Sequence, residues 1–403
     1  MVFAVIGISG TALAAWLWLW LARGRFWRTD VSLPPSSGGL PASWPLVAVI
    51  IPARNEAEIL PATLPTVLAQ EYPGSFHIFL VDDHSEDSTG EVAHELASSR
   101  RQSSKLTVVS AEKLESGWTG KLWAMEQGVR AARKKGADFF LFTDADIAYS
   151  PKKLRDLVEK ARDEELDLVS LMVRLRTDTF WERLLIPAFV YFFAMIYPFT
   201  WVKGDGKGTA AAAGGCLLVR RQALEDSGGL TAIAGELIDD CSMARRIKQR
   251  GRPDGGKIWL GLARETASLR PYDNLGEIWQ MVSRTAFVQL RYSYTLLLGT
   301  VVGLAVVFLV PPLALAGGLL GLVLAPQALV PAGMSVALGA AGWALMSRTY
   351  LPMVRWYRIR PAVALTLPLA AALYAVMTLD SARRFWRRRG GLWKGRTYIA
   401  ETG

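Results

Sequence analysis

The chain has 403 residues, of which 51% are hydrophobic and 15 are tryptophan. Its mean hydropathy of +0.22 is too high for an ordinary cytosolic domain of this size, so a membrane protein is expected. The 46 basic residues outnumber the 36 acidic ones, and the excess lies beside apolar segments, which predicts contact with anionic membrane lipids and no nucleic-acid partner.

The chain begins with an apolar run. Residues 3–22 carry no charge and are long enough to span a bilayer. A cleaved signal peptide is the alternative, because residues 12–14 resemble a small-residue cleavage site. However, no basic residue precedes the run, which favours a membrane anchor over residues 1–24. Arginines follow the run, so the positive-inside rule places the amino end outside and the next domain in the cytoplasm.

Residues 25–45 are rich in Pro, Ser and Gly and are predicted to be a linker. From 46 to 294, short β-branched or aromatic runs alternate with amphipathic stretches, which predicts repeated β-α-β units. The expected fold is therefore α/β, Rossmann-like, with a mostly parallel sheet and helices on both faces. Four strands are predicted, at Leu46–Ile51, His77–Val81, Leu106–Ser110 and Asp138–Thr143.

Acidic pairs form a series along this domain, at 82–83, 144–146 and 239–240, and the first two close predicted strands. Open parallel sheets bind ligands at the carboxyl ends of their strands, so these carboxylates should converge on one crevice. Asp144 and Asp146 alternate along an extended segment and should face the same way. Such hard oxygen ligands suit Mg²⁺ or Mn²⁺, whereas a solvated turn is the alternative.

The other candidates have two interpretations each. Residues 52–56, Pro-Ala-Arg-Asn-Glu, either receive a base and ribose or simply start a helix capped by Asn55. One of Asp82 and Asp83 is expected to accept a hydrogen bond from a base, while the other caps a helix. Asp239 and Asp240 precede a helical stretch, so they either cap it or include a general base.

Cysteines and histidines predict no site. Cys216 and Cys241 are too far apart for metal-ligand spacing and are expected to be small buried residues. The three histidines form no cluster, so no zinc site, disulfide framework or nucleophilic triad is predicted.

Residues 295–380 are predicted to form membrane segments, with apolar stretches at 295–325, 328–346 and 361–379. Basic clusters flank the last stretch on both sides, and a spanning helix there would separate them across the membrane. We therefore expect a re-entrant or in-plane segment around Pro368, followed by a basic cytoplasmic tail at 381–403. The aromatic stretch 185–201 is either an interfacial helix that admits a lipid or a buried core helix.

Several short sequence motifs resemble those of a known family. They are Gly117-Trp118-Thr119-Gly120-Lys121, Ala213-Gly214-Gly215-Cys216, Glu236-Leu237-Ile238-Asp239-Asp240-Cys241, and Arg284-Thr285-Ala286-Phe287 followed by Gln289-Leu290-Arg291-Tyr292-Ser293. Their order is similar to that of inverting family-2 glycosyltransferases with the GT-A fold, especially the hopene-associated glycosyltransferases of bacterial hopanoid biosynthesis. The resemblance covers essentially the whole chain.

The resemblance implies roles for individual residues. The uridine of a UDP-sugar would contact residues at the ends of the first two strands, namely Pro52, Ala53, Arg54, Glu56 and one of Asp82 or Asp83. Asp144 and Asp146 match the Asp-x-Asp motif, with Asp146 as the metal ligand. Asp240 matches the catalytic base, and Asp239 replaces the customary glutamate. Lys121 or Arg284, together with the metal, would neutralise the departing diphosphate.

The resemblance also implies a single transfer to a lipid acceptor at the bacterial inner membrane, by a multi-pass protein with a cytoplasmic catalytic domain. Polymerising members carry Gln-x-x-Arg-Trp, whereas here Gln280 is followed by Ser283 and Arg284 without a tryptophan. A different nucleotide-dependent membrane transferase and a scaffold without catalysis are the alternative functions.

Overall fold

A computed structural model describes residues 2–34, 43–204, 208–250, 255–387, 392–393 and 396–397. Most of the predicted tail at 381–403 therefore lies outside the described residues. The strands of the main sheet are β1 Val47–Ala53, β2 Phe76–Asp82, β3 Leu106–Ser110, β4 Phe139–Phe142, β5 Ile147–Ala148, β6 Leu168–Arg174, β7 Leu217–Arg220 and β8 Ile258–Ser268. The short strands β9 Leu392–Trp393 and β10 Arg396–Thr397 pair separately.

The helices of the sheet domain are α2 Leu60–Leu68, α3 Thr89–Ser99, α4 Gly120–Lys134, α5 Lys153–Asp163, α6 Phe180–Ile196, α7 Phe199–Lys203, α8 Arg221–Asp226, α9 Asp239–Arg250 and α10 Leu275–Gln289. Apolar helices flank this domain on both sides. They are α1 Val2–Ala22 before it and α11 Tyr294–Leu304, α12 Val310–Leu324, α13 Leu329–Trp356 and α14 Leu367–Trp386 after it.

The main sheet is mixed and mostly parallel. Its strand order is β3-β2-β1-β4-β7-β6-β8-β5. β1 is parallel to β2 and β4, while β7 is antiparallel to both β4 and β6. All four predicted strands are present as β1 to β4, so the predicted α/β class with a mostly parallel sheet is confirmed.

Side chains of β1 alternate between two apolar cores, as the period of an extended strand requires. Ala48 and Ile50 belong to one core, whereas Val47, Val49 and Ile51 belong to the other. Helices therefore cover both faces. The core that contains Ile50 continues without a break into the apolar helices, where Trp16, on α1, is fully buried and donates its indole N–H to Val307 O at 2.7 Å.

Within the described residues, four helical segments are long and apolar enough to cross a membrane, at residues 4–22, 294–324, 329–356 and 361–386. The last of these segments folds back on the third. After α13 ends, the 3-10 turns of residues 361–366 run back along it, and the Trp343 indole donates to Leu365 O at 3.2 Å. α14 then returns to the sheet domain, where Asp380 accepts a hydrogen bond from the Trp279 indole at 2.9 Å.

α6 lies between the sheet domain and the apolar helices. The hydroxyl groups of Tyr191, on α6, and Thr349, on α13, are 2.8 Å apart, and Tyr374, on α14, donates to Leu185 O at 2.9 Å. One flank of α6 is fully buried, yet Phe180 is 68% exposed. The helix thus joins the sheet domain to the membrane-type helices, and it leaves the aromatic side chain of Phe180 exposed on the surface.

Candidate active site

Two of the predicted acidic pairs lie where strands of the sheet end, and the third begins a helix. Asp82 closes β2, Asp144 and Asp146 follow β4, and Asp239 and Asp240 begin α9. The stretch 144–146 differs from the expected extended segment, because a turn follows β4 and the Ile147 N–H approaches Asp144 O at 3.3 Å. As a result the two carboxylates of this stretch contact different cations.

Lys121 connects two of the acidic pairs. It lies in the first turn of α4, where its ammonium is 2.9 Å from Asp144 Oδ1 and 3.4 Å from Asp239 Oδ2. Burial alone would lower the pKa of Lys121, but the carboxylates of Asp144 and Asp239 outweigh it and raise that pKa above its usual value. The lysine therefore stays charged, and its ammonium pairs with both the Asp144 and the Asp239 carboxylate.

Asp240 lies beside this cluster and is held by backbone groups. Its Oδ2 accepts a hydrogen bond from Gly214 N at 2.8 Å, and its Oδ1 accepts one from Cys241 N at 2.7 Å. Burial, followed by the negative charge of Asp239, raises the pKa of Asp240 to about 7, although the charge of Lys121 acts in the opposite direction. A carboxylate with such a pKa is suited to accept a proton near neutral pH.

Gly214 allows the backbone to approach this cluster. A Cβ atom at that position would lie 3.3 Å from the Lys121 ammonium and 3.4 Å from Asp240 Oδ2. A side chain at this position would therefore press on the end of the lysine and touch the carboxylate, so glycine gives the backbone its close approach to both groups.

A second ion cluster surrounds Asp146. Its Oδ2 accepts a hydrogen bond from the Ser268 hydroxyl at 2.5 Å and lies 3.4 Å from Arg270 Nε. Arg270 also donates to both carboxylate oxygens of Glu56, at 2.9 and 3.1 Å. Burial would lower the pKa of Arg270, but Asp146 and Glu56 raise it. The end of β8 thus connects the Asp-x-Asp stretch to the loop after β1.

Ser268 and Arg270 were not predicted as site residues. The signal was present, since a polar Ser-Leu-Arg stretch follows a run that is largely apolar at 258–263. The strand itself was missed because Arg264 and Glu265 interrupt its apolar pattern, and both side chains are exposed in β8.

The loops after β1 and β2 hold each other in place. Arg54 donates to Asp83 O at 2.6 Å, and Asp83 N donates to Ala53 O at 2.8 Å. The alternative in which Asn55 caps a helix is wrong, because α2 begins only at Leu60, and Asn55 Oδ1 instead accepts a hydrogen bond from Glu86 N at 2.9 Å. Pro52 and Ala53 are buried at the end of β1.

Asp82 and Asp83 have different surroundings. Asp82 Oδ1 accepts a hydrogen bond from Ser85 N at 3.0 Å and so orders the loop that follows β2. Asp83 is only 1% exposed and lies 3.3 Å from His84 Nδ1. Asp82, which is partly exposed, is therefore the better placed of the two to meet a ligand at this edge.

Among the described residues, Lys121 and Arg270 form ion pairs with the acidic residues of the site, whereas Arg284 forms none. It lies on the exposed side of α10, and its charge acts on the Tyr272 hydroxyl, as do the charges of Asp146 and Arg270. The structure thus brings together Lys121, Asp144, Asp239 and Asp240, and separately Glu56, Asp146 and Arg270, whereas Arg284 belongs to neither cluster.

Two carboxylates are available for a divalent cation. The described residues include no group of three or more His, Cys, Asp or Glu side chains that could hold a metal ion. Asp144 and Asp146 nevertheless fit Mg²⁺ or Mn²⁺, because these ions are commonly bound by one or two carboxylates together with substrate phosphates. Cys216 and Cys241 are buried, as expected.

Comparisons with known proteins point to glycosyltransferases. The glycosyl transferase family 2 profile matches residues 48–228. An N-acetylglucosaminyltransferase from Mesorhizobium japonicum is 30% identical over 167 residues, which are 40% of this chain and 37% of that protein. A hyaluronan synthase from Streptococcus pyogenes is 33% identical over 121 residues, covering 29% of this chain and 27% of the synthase.

Another relative is a 4,4'-diaponeurosporenoate glycosyltransferase from Staphylococcus haemolyticus, 33% identical over 101 residues, which are 25% of this chain and 24% of that protein. The matched regions thus span well under half the length of these relatives. A solved mannosyltransferase from Pyrobaculum calidifontis, in complex with GDP-Man and Mn²⁺, has a TM-score of 0.54 and 18% identity over 95% of this chain and 99% of its own. The sheet domain therefore has the GT-A fold, with a match to glycosyl transferase family 2 over residues 48–228, and apolar helices precede and follow it.

Proposed function

We propose that the protein is a membrane-bound inverting glycosyltransferase that transfers a single sugar from a nucleotide sugar, UDP-linked, to a lipid acceptor of the hopanoid type. The observation that carries the proposal is the position of Asp240, a buried carboxylate with a raised pKa, beside the Lys121 cluster in a GT-A domain. The core shared with the apolar helices supports a membrane acceptor.

In the proposed reaction, Asp240 takes the proton of an acceptor hydroxyl. The hydroxyl oxygen then bonds to the anomeric carbon of the sugar as the bond from that carbon to the nucleoside diphosphate breaks, which inverts the anomeric configuration. The backbone N–H groups of Gly214 and Cys241 hold the carboxylate in place throughout. Asp239 keeps Lys121 close to the base. The negative charge of Asp239 also favours the uptake of a proton by Asp240.

Negative charge grows on the departing diphosphate and needs fixed positive groups. Lys121 is the nearest such group, and Arg270 and Arg284 are further candidates at the same edge. Mg²⁺ or Mn²⁺, when bound by Asp144 and Asp146, would supply additional positive charge to the phosphates. Pro52, Ala53, Glu56 and Asp82 or Asp83 would contact the nucleoside, and Arg54 would keep their two loops together.

A pH profile tests the role of the base. Because burial and Asp239 raise the pKa of Asp240 to about 7, and only the deprotonated carboxylate accepts a proton, kcat/KM should rise with pH through about 7 and then level off. Asp239→Asn removes the neighbouring negative charge and should move this limb to lower pH. A limb that stays in place in Asp239→Asn would show that a different group titrates.

The proposed topology places the sheet domain and both basic clusters in the cytoplasm of a bacterial inner membrane, with the clusters near anionic lipids. It is supported by the return of α14 to the sheet domain, since Ser381 accepts a hydrogen bond from Phe287 N at 3.0 Å. On this basis residues 361–386 are re-entrant, and three segments cross the membrane.

Single cysteines test this topology, because both native cysteines are buried. In intact spheroplasts, a membrane-impermeant thiol reagent should label Gln327→Cys, which lies between α12 and α13. Glu91→Cys in the sheet domain and Arg387→Cys after α14 should react only when the membrane is opened; all three positions are exposed. Labelling of Arg387→Cys in intact spheroplasts, with Glu91→Cys still protected, would show that residues 361–386 cross the membrane.

The proposed function itself is tested by donor and acceptor analysis. Purified protein in detergent is incubated with Mn²⁺, UDP- or GDP-sugars and a bacterial lipid extract, and the lipids are analysed by mass spectrometry. A new glycolipid with release of the nucleoside diphosphate supports the proposal. Release of a nucleoside monophosphate would indicate a phospho-sugar transferase, and the absence of any product would favour a scaffold.

A further inference from the structure

Arg270 is shared between two buried carboxylates that belong to different parts of the site. Its Nη2 donates to Glu56 Oε1 and Oε2 at 2.9 and 3.1 Å, while its Nε lies 3.4 Å from Asp146 Oδ2. Glu56 and Asp146 are only 8% and 7% exposed. Because little water screens the charges of such buried groups, the two carboxylates compete for one guanidinium. A change in one of these ion pairs should therefore alter the other.

The bridge depends on the shape of the guanidinium group as well as on its charge. Arg270 uses Nε for Asp146 and Nη2 for Glu56, and these two nitrogen atoms are fixed in one plane. A lysine side chain ends in a single ammonium nitrogen and cannot reproduce this arrangement. The geometry of arginine is therefore what allows one side chain to serve both carboxylates.

Backbone contacts fix the position of this arginine relative to Asp146. β5 and β8 are antiparallel, with Ile147 opposite Ser268. Leu269 N donates to Asp146 O at 2.8 Å, and the Ser268 hydroxyl donates to Asp146 Oδ2. Arg270 N in turn donates to Ser268 Oγ at 3.3 Å. The arginine thus directly follows a pair of strands that already holds the Asp-x-Asp stretch.

The other end of the bridge lies in the loop after β1. Glu56 N donates to the hydroxyl of Thr89, the first residue of α3, at 2.9 Å. Residues 52–56 include the proposed nucleoside contacts and are called the nucleoside loop below. Arg270 is thus a direct ionic link between the nucleoside loop and the proposed metal carboxylate.

The contacts of Asp146 indicate how this link would act on a bound ion. Ser268 and Arg270 both contact the same carboxylate oxygen, Oδ2. A divalent ion at Asp146 would share the carboxylate with Arg270, and two cations close to one carboxylate repel each other. Any anion that pairs more strongly with Arg270, such as Glu56 or a diphosphate, should therefore strengthen the binding of the ion.

We infer that Arg270 is a positioning residue that couples the nucleoside loop to the metal carboxylate. Glu56 and the donor diphosphate attract the guanidinium and so raise the affinity of Asp146 for a divalent ion. The inference rests on the proposed function and adds to it a means by which ion and donor bind together. Linkage requires that the ion raises the affinity for the nucleotide by the same factor. Neither Arg270 nor Glu56 exchanges a proton in the reaction.

The test measures Mn²⁺ affinity by calorimetry on the full-length protein in detergent, without nucleotide. Arg270→Gln removes the competing cation and should bind Mn²⁺ about 10-fold more tightly than the wild type. Glu56→Gln leaves the guanidinium to Asp146 and should bind Mn²⁺ about 10-fold more weakly. In the double variant the change at Glu56 should have no further effect, because its influence passes through Arg270.

Two matched controls lie on the same elements. Arg264→Gln changes an exposed arginine of β8, and Glu58→Gln changes an exposed glutamate in the loop after β1, so both should bind Mn²⁺ as the wild type does. Arg270→Lys keeps the charge but cannot bridge both carboxylates, so its Mn²⁺ affinity should no longer respond to Glu56→Gln. Thermal unfolding of each variant shows that it is folded.

Unchanged or weaker Mn²⁺ binding in folded Arg270→Gln would overturn the inference. It would also be overturned if Glu56→Gln weakened Mn²⁺ binding equally with and without Arg270, because Glu56 would then act directly through its own charge. Both outcomes leave the proposed function intact, since they concern coupling and not sugar transfer. A wild-type protein that binds neither Mn²⁺ nor UDP would instead overturn the donor site of the proposed function, and the inference with it.

Discussion

Asp146→Ala is expected to abolish sugar transfer and to remove the Mn²⁺ dependence of nucleoside diphosphate binding. Asp146 is buried, and together with Asp144 it is the proposed donor set for a divalent cation at the diphosphate. Removing one of them leaves too few ligands to hold the ion against water. Turnover and calorimetric binding of UDP, with and without Mn²⁺, are the measurements.

Two controls separate this effect from misfolding. Asp146→Asn retains an oxygen that can accept a hydrogen bond from the Ser268 hydroxyl. The midpoint of its thermal unfolding should therefore match that of the wild type, while its activity is lost. Asp163→Ala removes an exposed carboxylate at the end of α5 and should be fully active. Full activity of Asp146→Ala, or of the wild type in EDTA, would show that the reaction does not require a metal ion.

The first half of the sheet was predictable because its strands are short, apolar and separated by amphipathic helices. β1, β2, β3 and β4 begin and end within two residues of the predicted bounds. The strands after residue 150 were not predicted. β7 has only four residues, and the exposed Arg264 and Glu265 interrupt β8, so tertiary pairing determines these strands more than local pattern does.

The site was predictable to the same degree as the strands that carry it. The acidic residues after β2 and β4 follow a simple rule, since ligands bind at the carboxyl ends of parallel strands. Sequence could not show that Asp144 pairs with Lys121 whereas Asp146 pairs with Arg270, because these partners are 23 and 124 positions away along the chain. That Arg270 joins Glu56 to Asp146 depends on the position of β8 in the sheet.

The membrane topology of the last apolar segment was predicted from the basic residues that flank it. The basic residues on both sides of 361–379 already conflicted with a spanning helix, although length and composition alone allow one. The contacts of Trp343 with Leu365 and of Asp380 with Trp279 give a physical reason for the re-entrant interpretation. A hydrogen bond near each end of the segment, to the Leu365 carbonyl and to the Asp380 carboxylate, thus supports what charge asymmetry had indicated.

Asp240→Asn is expected to lower turnover by about 10²- to 10⁴-fold while donor affinity changes little. The substitution preserves size and still allows a hydrogen bond from Cys241 N, but it removes the group that takes the acceptor proton. The limb of the pH profile near 7 should disappear together with the activity, since burial and Asp239 raise the pKa of Asp240 itself.

Kinetics at saturating donor and calorimetric UDP binding measure the two quantities separately. Asp226→Asn changes an exposed aspartate that accepts a hydrogen bond from Gln222 within α8; it is the matched control and should behave as the wild type. If UDP binding collapses in parallel with turnover in Asp240→Asn, the residue holds the donor or the fold. If turnover falls alone, the proton acceptor is Asp240, because the substitution then affects the chemical step and not the binding of the donor.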